Sequence, residues 1–221
     1  MDKREQVGVS EIYGYILLFG MIAFLLSVIY MEAMPRINDY ENYANFKVME
    51  GEFLVLKDIF LSASTNVTPE KVVNLNVKRG VVYTEKVGNV SFDSKNYDVN
   101  ALVYQLGNDR IYLVLGTVVE CFGNDCIAVT KPPFLNGSRS YVRIVNVSGS
   151  LAFSGLKQIL IKNEGCSRSV KNVASVNITF EDDGLLKAFK RSLDFNVQQN
   201  GKTLEISLKN GIVTFCNVSV R

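Results

Sequence analysis

The chain contains no histidine and no tryptophan. Without histidine it lacks the most frequent general base and the most frequent zinc ligand, which lowers every catalytic and zinc-binding expectation before any motif is read. An excess of one charge sign is missing as well. The 24 basic and 22 acidic residues are interspersed and leave a net charge of +2, so no basic face argues for nucleic acid. Gly-x-Ser-x-Gly, G-x-x-x-x-G-K-[ST] and G-x-G-x-x-G patterns are absent too. No catalytic residue, cofactor site or metal ligand is nominated, and no enzyme is expected. Internal repeats and low-complexity stretches are also lacking.

What the chain does have is a long apolar run near its start. Ile12 to Met31 reads IYGYILLFGMIAFLLSVIYM, twenty residues without a charge. As a helix it spans about 30 Å, the thickness of a bilayer's hydrocarbon core. Lys3 and Arg4 precede it, and by the positive-inside rule they put the N-terminus in the cytoplasm and the rest outside, with Arg36 slightly weakening the asymmetry. The run is longer than a secretory h-region. It is followed by Met31-Glu32-Ala33-Met34-Pro35 in place of an Ala-x-Ala site, so the anchor is expected to stay.

Two features agree with an exported domain. Six N-x-S/T sequons occur, at Asn66, Asn89, Asn136, Asn146, Asn177 and Asn217, where composition alone gives about two. All are candidate glycosylation sites, although Asn-Val-Ser in Val-rich strands produces some by accident. The cysteines, Cys121, Cys126, Cys166 and Cys216, all follow the apolar run. An even count in an exported domain reads as disulfides. Cys121 and Cys126 bracket the turn-forming Phe-Gly-Asn-Asp, which leaves Cys166 to pair with Cys216. Free or metal-bound thiols are the alternative, disfavoured by C-x4-C spacing without C-x2-C or histidine.

Beyond Pro35, residues Ile37, Tyr40, Ala44, Val48, Gly51, Val55 and Ile59 fall at three- and four-residue steps, the mark of an amphipathic helix. Pro35 fits a kink or the first turn of a new helix. This helical neck either packs its apolar face on the exported domain or continues the anchor as a spine against copies of itself; periodicity alone favours the first.

After a polar break at Ser62 to Pro69 the chain turns β-rich. Strands are expected over 72–77, 81–84, 111–119, 127–130, 141–147, 159–161, 173–180, 203–208 and 212–220, with Asn108-Asp109 and Asn210-Gly211 as hairpin turns. One helix is expected from Asp183 to Leu193, with Leu185, Leu186, Phe189 and Leu193 on one face. Glu181-Asp182-Asp183-Gly184 before it could hold a hard cation, but lacks EF-hand spacing, and Asp182 or Asp183 as N-cap explains it better. Lys131-Pro132-Pro133-Phe134 reads as a loop or edge terminator. The fold class is therefore α+β. It comprises a leader over 1–8, a transmembrane helix over 9–34, an amphipathic neck over 35–64, and an antiparallel, sandwich-like exported domain with one short helix over 65–221.

The string Val9-Ser10-Glu11-Ile12-Tyr13-Gly14-Tyr15-Ile16-Leu17 resembles the start of archaeal type IV pilin-like surface proteins, closest to an uncharacterised archaeal membrane-anchored group with a Ser-Glu-x-x-Gly motif (here Ser10, Glu11 and Gly14). The specific likeness covers about Gly8 to Tyr30. Later fragments, Gly116-Thr117-Val118-Val119 and Lys187-Ala188-Phe189-Lys190-Arg191, fit more loosely. The resemblance implies cleavage by a prepilin-type peptidase between Gly8 and Val9, and copies of the chain or other pilin-like subunits as partners through the N-terminal helix. It also implies that Glu11 can neutralise a neighbour's amino terminus in an apolar core, where an unpaired charge is expensive. Glu11 is third after that cut, where bacterial pilins carry their acid fifth, and an interfacial Glu in the headgroup region is the alternative. Pro35 and the charged neck argue against a continuous spine. The expected function is structural or adhesive, in a single-pass membrane protein with its β domain extracellular and lipid as its first partner, as a minor filament subunit or a non-assembling pilin-like protein. A non-polymerising binding module for surface glycans or envelope proteins is the first alternative, and an exported hydrolase the second.

Overall fold

A computed structural model describes residues 3–65, 70–169 and 172–221, with side chains from Ile12 onward. The chain divides into two compact units, residues 1–44 and 45–221. One helix, α1 (Lys3–Ser64), runs 62 residues and carries Pro35 inside it without ending. Of the two readings of Pro35, the start of a new helix is corrected: the anchor continues into the neck as one helix. Proline removes one backbone donor and crowds the preceding turn, and the good helix formers on both sides carry the helix past it.

In the first unit the described apolar side chains are exposed all round, including Leu17, Phe19, Phe24 and Met31, and the helix is long and apolar enough to cross a membrane. In the second unit α1 buries Phe46, Met49, Phe53, Leu56, Phe60 and Ala63, a stripe with regular three- and four-residue spacing. This corrects most of the expected apolar face: Val48 and Val55 are exposed, while Ile59 is buried as expected. The two stripes lie about 140° apart at about 100° per residue. The buried one wins because its Phe, Met and Leu side chains remove far more apolar surface from water than Val, Ala and Gly can.

Among the described residues eleven strands join in one sheet. They are β1 (Glu70–Phe92), β2 (Lys95–Leu106), β3 (Asp109–Val114), β4 (Thr117–Phe122), β5 (Asp125–Ala128), β6 (Phe134–Leu135), β7 (Tyr141–Ser148), β8 (Ala152–Arg168), β9 (Val173–Phe180), β10 (Val197–Asn200) and β11 (Thr203–Val220). The second helix, α2 (Asp183–Ser192), lies between β9 and β10. The main path runs β5-β4-β3-β2-β1-β8-β11-β7-β6. Antiparallel pairing dominates as expected, but β7 and β11 run parallel from Tyr141↔Ile212 to Ser148↔Ser219. The sheet is mixed.

The long strands β1 and β11 change partners along their length: β1 pairs with β8 first and with β2 and β9 later. The central strands are then buried on both faces. Leu102, Tyr104, Ile111, Leu113, Val145 and Val147 join the core under α1, while Ala101, Val103, Tyr112, Val114, Val142 and Ile144 join the core under α2. A strand covered on both faces shows a continuous apolar run instead of alternation, which is why β2 was not anticipated. The short, polar β10 was missed as well.

Two turns also differ from expectation. The strand read over 111–119 is a hairpin: Leu115 and Gly116 take φ of 53° and 77°, the pattern of a tight two-residue turn. A Cβ on Gly116 would lie 3.0 Å from Pro133 and 3.3 Å from Leu61. Conversely, Asn210-Gly211 makes no hairpin. Asn210 has φ 45°, and β11 continues with a register shift between Ser207 and Gly211. The left-handed residue bulges the strand, and β11 leaves β9 to pair with β7 and β8. The expected turn at Asn108-Asp109 is present one residue earlier, since Leu106 pairs with Asp109.

Candidate functional site

The residues named for processing and assembly fall at the start of α1. Gly8, Val9, Ser10, Glu11 and Gly14 all lie within the helix, and the side chains before Ile12 lie outside the described residues. A Cβ on Gly14 or Gly20 would meet nothing within 4 Å, so both glycines leave room on the helix surface for another helix to approach.

Both disulfides are present, Cys121–Cys126 and Cys166–Cys216. The first closes the β4–β5 hairpin, where Cys121 pairs directly with Cys126. The second joins β8 to β11 at the paired position Cys216↔Cys166, and it also meets the end of α1. The two sulfurs lie 3.4 and 3.6 Å from the Ser64 carbonyl oxygen, and Asn163 Nδ2 donates to the Ala63 carbonyl at 3.1 Å. The last turn of a helix leaves carbonyls without intrahelical partners; here one is satisfied by a side chain of β8.

The sequons separate by environment. Asn136 is exposed, with Nδ2 donating to the Asp194 carbonyl at 2.9 Å. Asn89 and Asn177 are half-buried within β1 and β9, while Asn66 lies outside the described residues. Asn146 is corrected: it is buried, its Oδ1 accepts from the Asn100 backbone N–H at 2.8 Å, and its Nδ2 donates to Asn217 Oδ1 at 2.9 Å. A buried, bonded amide nitrogen cannot carry a glycan in the folded chain. Asn217 is half-buried as its partner.

The acidic stretch before α2 is a cap. Asp182 Oδ1 accepts from the backbone N–H groups of Gly184 at 2.6 Å and Leu185 at 3.0 Å, as expected for an N-cap. No group of three potential metal ligands occurs among the described residues.

Between α1 and β4 an ionic cluster is partly buried. Lys47 bonds Glu50 and reaches Glu120 at 3.3 Å. Burial pushes the Glu120 carboxyl above its ordinary value, and the neighbouring Glu50 pushes it the same way. The Lys47 bond holds Glu50 below its ordinary value and lifts Lys47 in turn.

A polar cleft of about 490 Å³ opens at the hairpin tips. Gly107 and Asn108 of the β2–β3 turn, Gly123 and Asn124 of the β4–β5 turn, and Asp182 converge there with Arg110 and Tyr112 of β3. Arg110 Nη1 donates to the Tyr112 hydroxyl at 3.0 Å, and Tyr83 donates to Gln105 Oε1 at 2.9 Å. Burial pushes the Tyr83 and Tyr112 hydroxyls up, and it raises Glu85 against the opposing pull of Arg110. One wall is stiff, since a Cβ on Gly184 would lie 2.7 Å from Cys126 Sγ and 2.9 Å from the Asn124 carbonyl. Residues 107–109 and 123–125 are legible as turns; that strand order brings them beside Asp182 is not.

The family DUF7289, described as a family of unknown function, matches residues 8–215, and the chain belongs to it. No curated protein and no solved structure matches.

Proposed function

We propose that this member of DUF7289 is a single-pass, type IV pilin-like protein of an archaeal cell surface, with its N-terminus cytoplasmic and its β domain displayed outside in a structural or adhesive role. The observation that carries this reading is the apolar surface of α1 left without a partner. Ile12 to Met31 exposes large apolar side chains all round, which lipid or neighbouring helices must cover. In the second unit Val48, Gly51 and Val55 leave a further apolar stripe exposed, opposite the one that packs on the sheet. Small and β-branched residues at such spacing suit close helix–helix contact. Two disulfides agree with an oxidising, exported environment, and the resemblance around Gly8, Val9, Ser10, Glu11 and Gly14 supplies the processing step.

The test is production of the full chain in an archaeal host with an active prepilin-type peptidase, followed by intact mass and filament imaging. Loss of residues 1–8 and filaments that disappear in a Val48→Asp/Val55→Asp variant are expected. An intact leader in that host sinks the pilin-like reading. Processing without filaments reduces it to an anchored, non-assembling protein.

A further inference from the structure

We infer that the polar cleft between the β2–β3 and β4–β5 turns is a binding site for a short segment of neutral glycan. The volume of about 490 Å³ lies within the range of small-molecule sites. Its lining offers donors and acceptors in nearly equal measure. Asn108 and Asn124, both exposed, have no hydrogen-bond partner among the described residues, so each presents a free carbonyl and a free amino group. Asp182, also in the lining, spends Oδ1 on the α2 N-terminus, and its Oδ2 makes no hydrogen bond among the described residues.

Tyr112 is the most telling group. It is 3% exposed yet lines the cleft, its hydroxyl accepts from Arg110, and its own proton finds no acceptor among the described residues. That proton is free to meet an acceptor in the cleft.

Charge selects the ligand class. The lining carries one cation, Arg110, and one carboxylate, Asp182, so it has no excess charge to hold an ionic ligand of either sign. Arg110 in the lining opposes a cation, and no metal-holding group of three occurs among the described residues. What remains is an uncharged molecule dense in groups that both donate and accept, and vicinal sugar hydroxyls have that property. The walls are held in place before binding: Cys121–Cys126 closes one hairpin, and its tip abuts Gly184 so closely that a methyl group would not fit. Preorganisation of this kind lowers the entropic cost of binding.

This deepens the adhesive part of the proposed function and stands independently of leader cleavage or filament assembly, which the experiment does not read. The full chain, in a sugar-free detergent, is titrated calorimetrically with mannotriose, cellotriose and chitotriose. Trigalacturonate and inorganic phosphate serve as anionic counterparts. Saturable binding of at least one neutral trisaccharide is expected, weakened about tenfold or more in Asn108→Ala/Asn124→Ala, a loss equal to about one hydrogen bond. Both positions are exposed turn residues, so this variant folds. Tyr112→Phe, which keeps the ring and removes the hydroxyl together with its bond from Arg110, is expected to weaken binding as well. Failure of all three neutral sugars to bind, tighter binding of either anion, or binding unchanged in the double variant overturns the inference.

Discussion

Asn146 and Asn217 face each other across the parallel β7–β11 pair, with Asn146 Nδ2 donating to Asn217 Oδ1 at 2.9 Å. The same Asn146 accepts from the Asn100 backbone at 2.8 Å, so one side chain joins β2, β7 and β11. Two sequons are thereby explained as parts of a buried hydrogen-bond chain. Asn146→Ala is expected to leave the Asn100 N–H and the Asn217 carbonyl oxygen without partners, at a cost of about 1–3 kcal/mol. Denaturant unfolding of the full chain measures it. Peptide mapping from an archaeal host should find no glycan on Asn146.

The two disulfides should differ in worth. Cys166 and Cys216 are 50 residues apart and Cys121 and Cys126 only 5. Loop-closure entropy then predicts about 4 kcal/mol for the first and about 2 for the second at 25 °C. Paired Cys→Ala variants followed by chemical denaturation should show that order. Alkylation without reductant should label none of the four thiols.

Phe53 is fully buried under the sheet, while Val55 two residues later is exposed. Phe53→Ala should cost about 3–5 kcal/mol through lost burial and the cavity left behind, whereas Val55→Ala should change stability by less than about 0.5 kcal/mol. Thermal unfolding of the two variants distinguishes this orientation of α1 from its reverse.

The Lys47–Glu50–Glu120 cluster predicts a pH dependence of definite sign. Burial and Glu50 raise Glu120 above its ordinary value, so the folded state holds that proton more tightly than the unfolded one. Glu120's favourable contribution is complete below about pH 4.3, the ordinary glutamate value, and is lost as pH climbs through the raised folded value. Glu50, held low by Lys47, acts in the opposite sense, with its contribution lost as pH falls. Glu120→Gln removes the first effect and keeps the Lys47–Glu50 bond, the largest cause of the second. Relative to the wild type, its stability should therefore rise with pH above about 4.3 and then level off. Unfolding midpoints across that range test it; a wild type that gains on the variant with rising pH contradicts the assignment.

Much of this protein follows from local sequence chemistry. An uncharged run from Ile12 to Met31 forms a helix suited to lipid, because nothing in it requires water. Asp182 before an apolar-periodic segment starts α2, since its carboxylate satisfies donors within two and three residues. Cys121 and Cys126 flank a turn that brings them together. In each case the interacting groups are neighbours in the chain.

Tertiary structure decided the rest, wherever two local answers were nearly equal or the partners were distant. Helix α1 carries two apolar stripes, and only the sheet's need for large side chains assigned Phe46, Met49, Phe53, Leu56 and Phe60 to the inside. Asn210-Gly211 has hairpin chemistry, yet β11 runs on because β7 and β8 offer it new backbone partners. Asn146 is buried because β7 crosses to lie beside β11, across 71 residues of chain. The polar cleft exists because strand order sets two short turns beside the α2 cap. Backbone propensity acts over a few residues, whereas pairing and burial act between segments, and those long-range terms determined which surfaces of this protein remain free to bind.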